Sequence, residues 1–144
     1  NLIKAGDVLR FGHLTVVPFR TYHNVEEPLG FLIEDGRTKE RLLWAVDTAN
    51  LGVTADRLTY IAVECNYEES LLDRSDRIPS VLKERIRHSH FEVSDVIKWL
   101  HKQDLSGVLT IWLLHLSAGN SRAEQWQVRF EREFPGITVK ICPE

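Results

Sequence analysis

The sequence predicts an α/β protein in which sheet and helix form separate layers. Three observations carry this reading. The first part of the chain is a series of short β-prone runs with turn signals between them. The later part alternates helix-like and strand-like segments. Finally, residues able to bind a metal or carry a proton stand at or just beyond the ends of apolar runs.

The elements follow in order. Val8 to Phe11 and Leu14 to Phe19 are joined by Gly12-His13, a hairpin signal. Leu29 to Glu34 and Leu42 to Val46 form a second pair, with Asp35-Gly36 opening the turn between them. Leu58 to Val63 is apolar enough for a buried strand. Ser80 to Arg87 reads as a helix with Pro79 near its start. Val93, Val96, Ile97 and Leu100 make one apolar helical stripe. Val108 to Leu114 is nearly continuous apolar, the pattern of a strand covered on both faces. Ser121-x-x-Glu124 is a capping-box pattern, and Ala123, Trp126 and Phe130 share a helix face behind it. Pro135-Gly136 ends that helix, and Ile137 to Ile141 is the last strand.

Composition narrows the possibilities. A chain of 144 residues, 43% hydrophobic and 27% charged, suits one folded domain, 1–144, with no linker inside it. The formal net charge of −3 excludes a globally basic nucleic-acid coat but leaves room for a local basic patch. No apolar run approaches the roughly 18 residues of a membrane span. No signal peptide opens the sequence, and two cysteines do not make a disulfide framework. A reducing, cytoplasmic compartment is therefore expected. Methionine is absent and the sequence opens at Asn1, directly before a strand-like segment. We expect a piece of a longer polypeptide.

The chemistry is concentrated in the polar residues that follow strands. Asp47 follows Leu42–Val46, Glu64 ends Tyr60–Val63, His115 ends Ile111–Leu114, and His23 follows Val16–Phe19 after a short link. Strands of one sheet bring such positions to a common edge, where sites form. Imidazole and carboxylate together suit Zn²⁺, Mn²⁺ or Fe²⁺. Taken singly, each residue also reads as a turn residue or a helix cap. His88 and His90 lie between two helical segments and can chelate or carry protons, though His88 reads better as a solvated loop residue. His101 reads as a dipole partner at a helix C-terminus, and His13 as a turn residue. From Arg74 to Arg87, Arg74, Arg77, Lys83, Arg85 and Arg87 outnumber Asp76 and Glu84, an excess that suits phosphates or a solvated helix face.

Five stretches together resemble the metallo-β-lactamase-fold hydrolases. They are Tyr22 to Phe31, Ala45-Val46-Asp47-Thr48, Val63-Glu64-Cys65-Asn66-Tyr67, Ser89 to Asp95, and Leu114-His115-Leu116-Ser117. The resemblance is to the bacterial branch of metal-dependent phosphodiesterases and nucleases, and more distantly to the tRNA 3′-processing endonucleases. It implies an αββα sandwich, here mostly its C-terminal half. It implies that His23, Asp47 and His115 are metal ligands, Asp47 bridging two ions. His90 would contact the scissile phosphate or protonate the leaving oxygen. Glu64 and Asn66 match an acidic-x-Asn stretch whose role is positional.

The implied activity is hydrolysis by a hydroxide bridging two divalent ions, zinc foremost, with manganese or iron as alternatives. The implied bond is a phosphodiester, in nucleic acid or elsewhere. The His-x-His-x-Asp-His signature of the family's N-terminal half is absent. The expected partner is therefore that N-terminal half, or another copy of the chain, and the 144 residues alone are expected to be inactive. Tyr67, Asn24 and Glu92 also depart from the residues the family often carries there, His, Asp and Ser. A non-catalytic binding or assembly module that keeps remnants of the metal site is the competing reading.

Overall fold

The computed structural model describes residues 2–142. Seven strands form one sheet in sequence order: β1 (Leu9–Phe11), β2 (Leu14–Arg20), β3 (Leu29–Asp35), β4 (Arg41–Ala45), β5 (Tyr60–Glu64), β6 (Thr110–Leu114) and β7 (Thr138–Ile141). The first four pair antiparallel, as their short turns require. From β4 onward every pairing is parallel. Parallel neighbours need long crossovers, and those crossovers carry the helices. Between β5 and β6 lie α1 (Glu69–Arg74), α2 (Ser80–Ser89) and α3 (Val93–Leu100), and between β6 and β7 lies α4 (Ala123–Glu133).

One face of the sheet is closed by α3 and α4. Leu43, Ala45, Ile61, Val63, Ile111, Leu113 and Val139 alternate along their strands and meet Phe91, Val96, Leu100, Trp126 and Phe130 in one core. The stripe at 93, 96, 97 and 100 is buried throughout, so the period in the sequence reports a real interface. The opposite face of the same strands is apolar as well. Leu42, Trp44, Ala62, Trp112, Leu114 and Cys142 line an open groove of about 400 Å³, and Trp44 remains 43% exposed. No element among the described residues covers it.

Two sequence expectations change. The helix from 123 begins with Arg122 as its N-cap and has no side-chain cap bond, so Ser121 and Glu124 do not form the capping box. The first turn instead rests on Trp126, whose buried ring anchors it and whose indole N–H points to Glu68. Helix α1 has no counterpart in the sequence pattern. It has six residues and one buried position, Leu72, too short to show a period. Among the lesser histidines, His88 is exposed and pairs with Glu84, and His13 sits 3.5 Å from Asp35 across the β2–β3 pair. His101 is the C-cap of α3 and holds Glu133 of α4 at 2.7 Å.

Gly30 is required by a close approach. A Cβ there would lie 2.5 Å from the Phe19 ring and 2.9 Å from the Trp44 carbonyl oxygen. Gly30→Ala should therefore destabilise the fold by about 1–3 kcal/mol, the usual cost of overpacking. Urea unfolding measures it, and an unchanged midpoint would show that β3 has slack at this position.

Candidate metal centre

Parallel pairing fixes where the site lies. Ala45 registers with Val63, and Glu64 with Leu114, so β4, β5 and β6 end together. Asp47 lies two residues past β4, Glu64 is the last residue of β5, and His115 is the first residue after β6. Two of these positions use left-handed backbone, with φ 54° at Asp47 and 56° at His115. That conformation costs an ordinary residue roughly 1–2 kcal/mol. Here it turns the chain sharply as each strand ends, beside the Glu64 carboxylate.

His90 arrives from elsewhere. It caps the C-terminus of α2 in an extended conformation, with its N–H on the Ile86 carbonyl at 2.9 Å. The following residues run beside the continuation of β5: Asn66 N–H donates to Phe91 O, and Tyr67 bridges Glu92. The Glu92 side chain caps α3 by accepting from the Ser94 and Asp95 N–H groups. This strap places the His90 ring over the end of β5.

Asp47, Glu64, His90 and His115 come together, each with a potential ligand atom within 4.8 Å of the others. Glu64 is fully buried. Its Oε1 lies 2.6 Å from His90 Nδ1 and 3.0 Å from His115 Nδ1, and its Oε2 accepts the Thr48 N–H at 2.6 Å. Burying a carboxylate is tolerable only with such donors around it. With each Nδ1–H directed at the carboxylate, Nε2 of each neutral ring keeps its lone pair. A carboxylate behind an imidazole is the usual support of a metal-binding histidine. Asp47, its side chain 56% exposed, adds an oxygen 3.5 Å from His115 Nδ1. This donor set of imidazole and carboxylate fits a divalent transition metal.

His23 stands at the border of this group. Its Nδ1 donates to the Ser89 carbonyl at 2.9 Å, which leaves the Nε2 edge free of that contact. Its ring lies 5.6 Å from that of His90, which in turn lies 5.2 Å from that of His115. Three imidazoles thus form a row, with His23 outside the four-residue group. Thr48 is a positioning residue that sequence reasoning missed. Its side chain is buried, accepts the Tyr22 N–H at 3.0 Å and donates to Asn50 O, tying the His23 segment to the end of β4. Only its place beside Asp47 hinted at this. Asn66 donates to the His115 carbonyl at 2.7 Å, so the acidic-x-Asn stretch holds this edge at two points.

Neighbouring burial sets two further properties. Burial pushes the Cys65 thiol well above its ordinary pKa, which makes it a poor nucleophile behind the site. Tyr67 is held well above the usual phenol range, first by burial and then by Glu69 and Glu92.

No family profile and no curated protein matches the sequence. Solved structures do. The metallo-β-lactamase fold protein YhfI from Bacillus subtilis superposes with a TM-score of 0.62 at 16% identity, over 97% of this chain and 51% of that one. Unliganded yeast PDE1 superposes with a TM-score of 0.64 at 14% identity, over 99% and 48%. CmlA, a diiron β-hydroxylase from Streptomyces venezuelae, does so at 0.55 and 11%, over 94% and 32%. The chain spans about half the length of YhfI and PDE1, and about a third of CmlA. Their common architecture, and the sheet with helices on one face described above, establish that the chain has the metallo-β-lactamase fold.

Proposed function

We propose that the chain contributes one side of the active site of a two-metal hydrolase acting on phosphodiesters. The observation that carries this reading is the convergence of Asp47, Glu64, His90 and His115 at the shared ends of β4, β5 and β6. Asp47, His115 and His23 would hold the metal ions. The ions, when bound, would supply Lewis acidity and an acidified water.

The chain's own groups do the rest. Glu64 orients both His90 and His115 through Nδ1. Holding His90 by Nδ1 would direct its Nε2 edge toward the leaving oxygen. The exposed Arg74 at the end of α1 and Arg77 in the loop after it add positive charge suited to phosphate.

The remaining ligands and a second layer would come from the N-terminal half of the same protein or from another copy. The uncovered groove of Leu42, Trp44, Ala62, Trp112 and Leu114 supports this. The alternative, an assembly module that keeps part of a metal site, draws on the chain spanning only about half of YhfI and PDE1.

In the complete protein, Asp47→Ala should abolish hydrolysis and lower bound metal, and His115→Ala should weaken metal binding about 10–100-fold or more. Metal analysis alongside turnover of a model phosphodiester measures both. Normal stoichiometry with normal turnover would remove Asp47 from the site.

His90→Ala should cost roughly 10²–10⁴-fold in turnover while leaving most of the metal in place. Proportionate loss of metal and activity would make His90 a ligand instead.

The 144 residues alone should hydrolyse negligibly, bind metal weakly and associate through the uncovered groove. Sedimentation and metal titration read this directly. A monomer that holds two ions tightly would contradict it.

A further inference from the structure

The carboxylates of α1 and α2 are gathered on one side chain. Glu69, Asp73 and Glu84 are the only acids on those two helices, and all three meet the Arg87 guanidinium, at 2.6, 2.5 and 3.6 Å. Lys83 donates to the Asp73 carbonyl. Arg74 and Arg77, both exposed, have no ion-pair partner among the described residues. The local basic excess is therefore not cancelled: the acids of the two helices are spent internally, and Asp76 in the loop between them is the one acid left beside the free guanidiniums of Arg74 and Arg77.

Arg74 and Arg77 line a cleft of about 410 Å³ with Leu71, Ser75, Asp76 and Asn120. Asn120 is only 3% exposed, donates Nδ2 to Ser117 Oγ at 3.0 Å, and has no protein partner for Oδ1. Because the Ser117 hydroxyl both donates and accepts, the amide can present either end to a polar ligand after a flip. An unmatched buried amide end is unfavourable, and a ligand or a water relieves it. The cleft is also coupled to the metal edge. Asn120 O accepts the Glu68 N–H, Ser117 N–H donates to Asn66 O, and Asn66 holds His115.

From this arrangement we infer that the cleft is a phosphate subsite for a polynucleotide strand, outside the metal centre and continuous with it. Arg74 and Arg77 would bind a backbone phosphate next to the scissile one, and Asn120 and Asp76 would meet sugar or base polar groups. A recessed cleft with guanidiniums at its wall suits a strand better than a flat lipid surface. The inference rests on the phosphodiester reading and deepens it, making the substrate a polymer rather than a single nucleotide.

The test is binding without catalysis. A labelled single-stranded oligonucleotide is titrated into the protein in EDTA by fluorescence anisotropy, over a range of salt. The double variant Arg74→Gln/Arg77→Gln should bind about tenfold more weakly, with a log–log salt slope shallower by ~0.7, the contribution of the one phosphate no longer neutralised. Arg37→Gln/Lys39→Gln removes the same charge at the β3–β4 turn, at the opposite end of β4, and should leave binding unchanged. Because EDTA removes any metal, binding by the parent in this buffer separates failure of the cleft from failure of the metal reading. Equal weakening by both double variants would overturn the subsite. So would an Arg74→Gln/Arg77→Gln protein that binds like the parent, or binding to phosphatidylserine vesicles without binding to the oligonucleotide.

Discussion

A single buried carboxylate organises the functional edge. Glu64 is fully enclosed, yet it is met by a backbone N–H from the β4 end, an imidazole from the end of α2 and an imidazole from the end of β6. These groups are 16, 26 and 51 residues from Glu64 along the chain. Only a folded sheet brings them together, and once together they leave the carboxylate no better alternative. Opening any of the surrounding turns would leave a buried carboxylate oxygen without one of these partners. The same contacts orient both rings, so structural support and chemical preparation are one arrangement.

The edge also carries backbone strain. Asp47 and His115 both adopt left-handed conformations that ordinary residues avoid. Each lies where a strand stops and the chain must turn within a residue or two. Such conformations persist only when their surroundings over-determine them. Here the determinants are visible: the Thr48 N–H on Glu64, the Asn66 amide on the His115 carbonyl and the Glu64 carboxylate on the His115 ring. The neighbouring charges are handled in a comparable way around Arg87, which collects three carboxylates and leaves Arg74 and Arg77 facing outward. In both places one side chain absorbs several opposite groups and sets what its neighbours present to solvent.

The sheet itself has two unlike faces. Residues such as Leu43, Ile61 and Ile111 pack under helices, while Trp44, Ala62 and Trp112 on the alternate positions line an open apolar groove. Near-continuous apolar runs such as Ile61–Val63 and Ile111–Leu114 are what a strand covered on both faces requires. The pattern is therefore that of a sheet with two layers to satisfy, one of which α3 and α4 already provide.

Most elements are legible in the sequence because their patterns are local. The stripe at 93, 96, 97 and 100, the Gly12-His13 turn and the apolar strands each announce themselves within a few residues, and their observed bounds lie within two residues of those expected. Failures are local too: α1 is too short for a period, and the pattern at Ser121 competes with the anchoring of Trp126 and loses. The sequence likewise marks Asp47, Glu64, His90 and His115 as candidates: three follow apolar strands, and His90 stands between two helical segments. It does not show that Glu64 faces both imidazoles, that Thr48 locks the turn beside Asp47, or that His23 stands one ring outside the group. Those facts depend on strand register and on the strap from His90 to Glu92. Pairings between residues tens of positions apart leave no periodic trace in a single chain, and only the closed tertiary structure decides them.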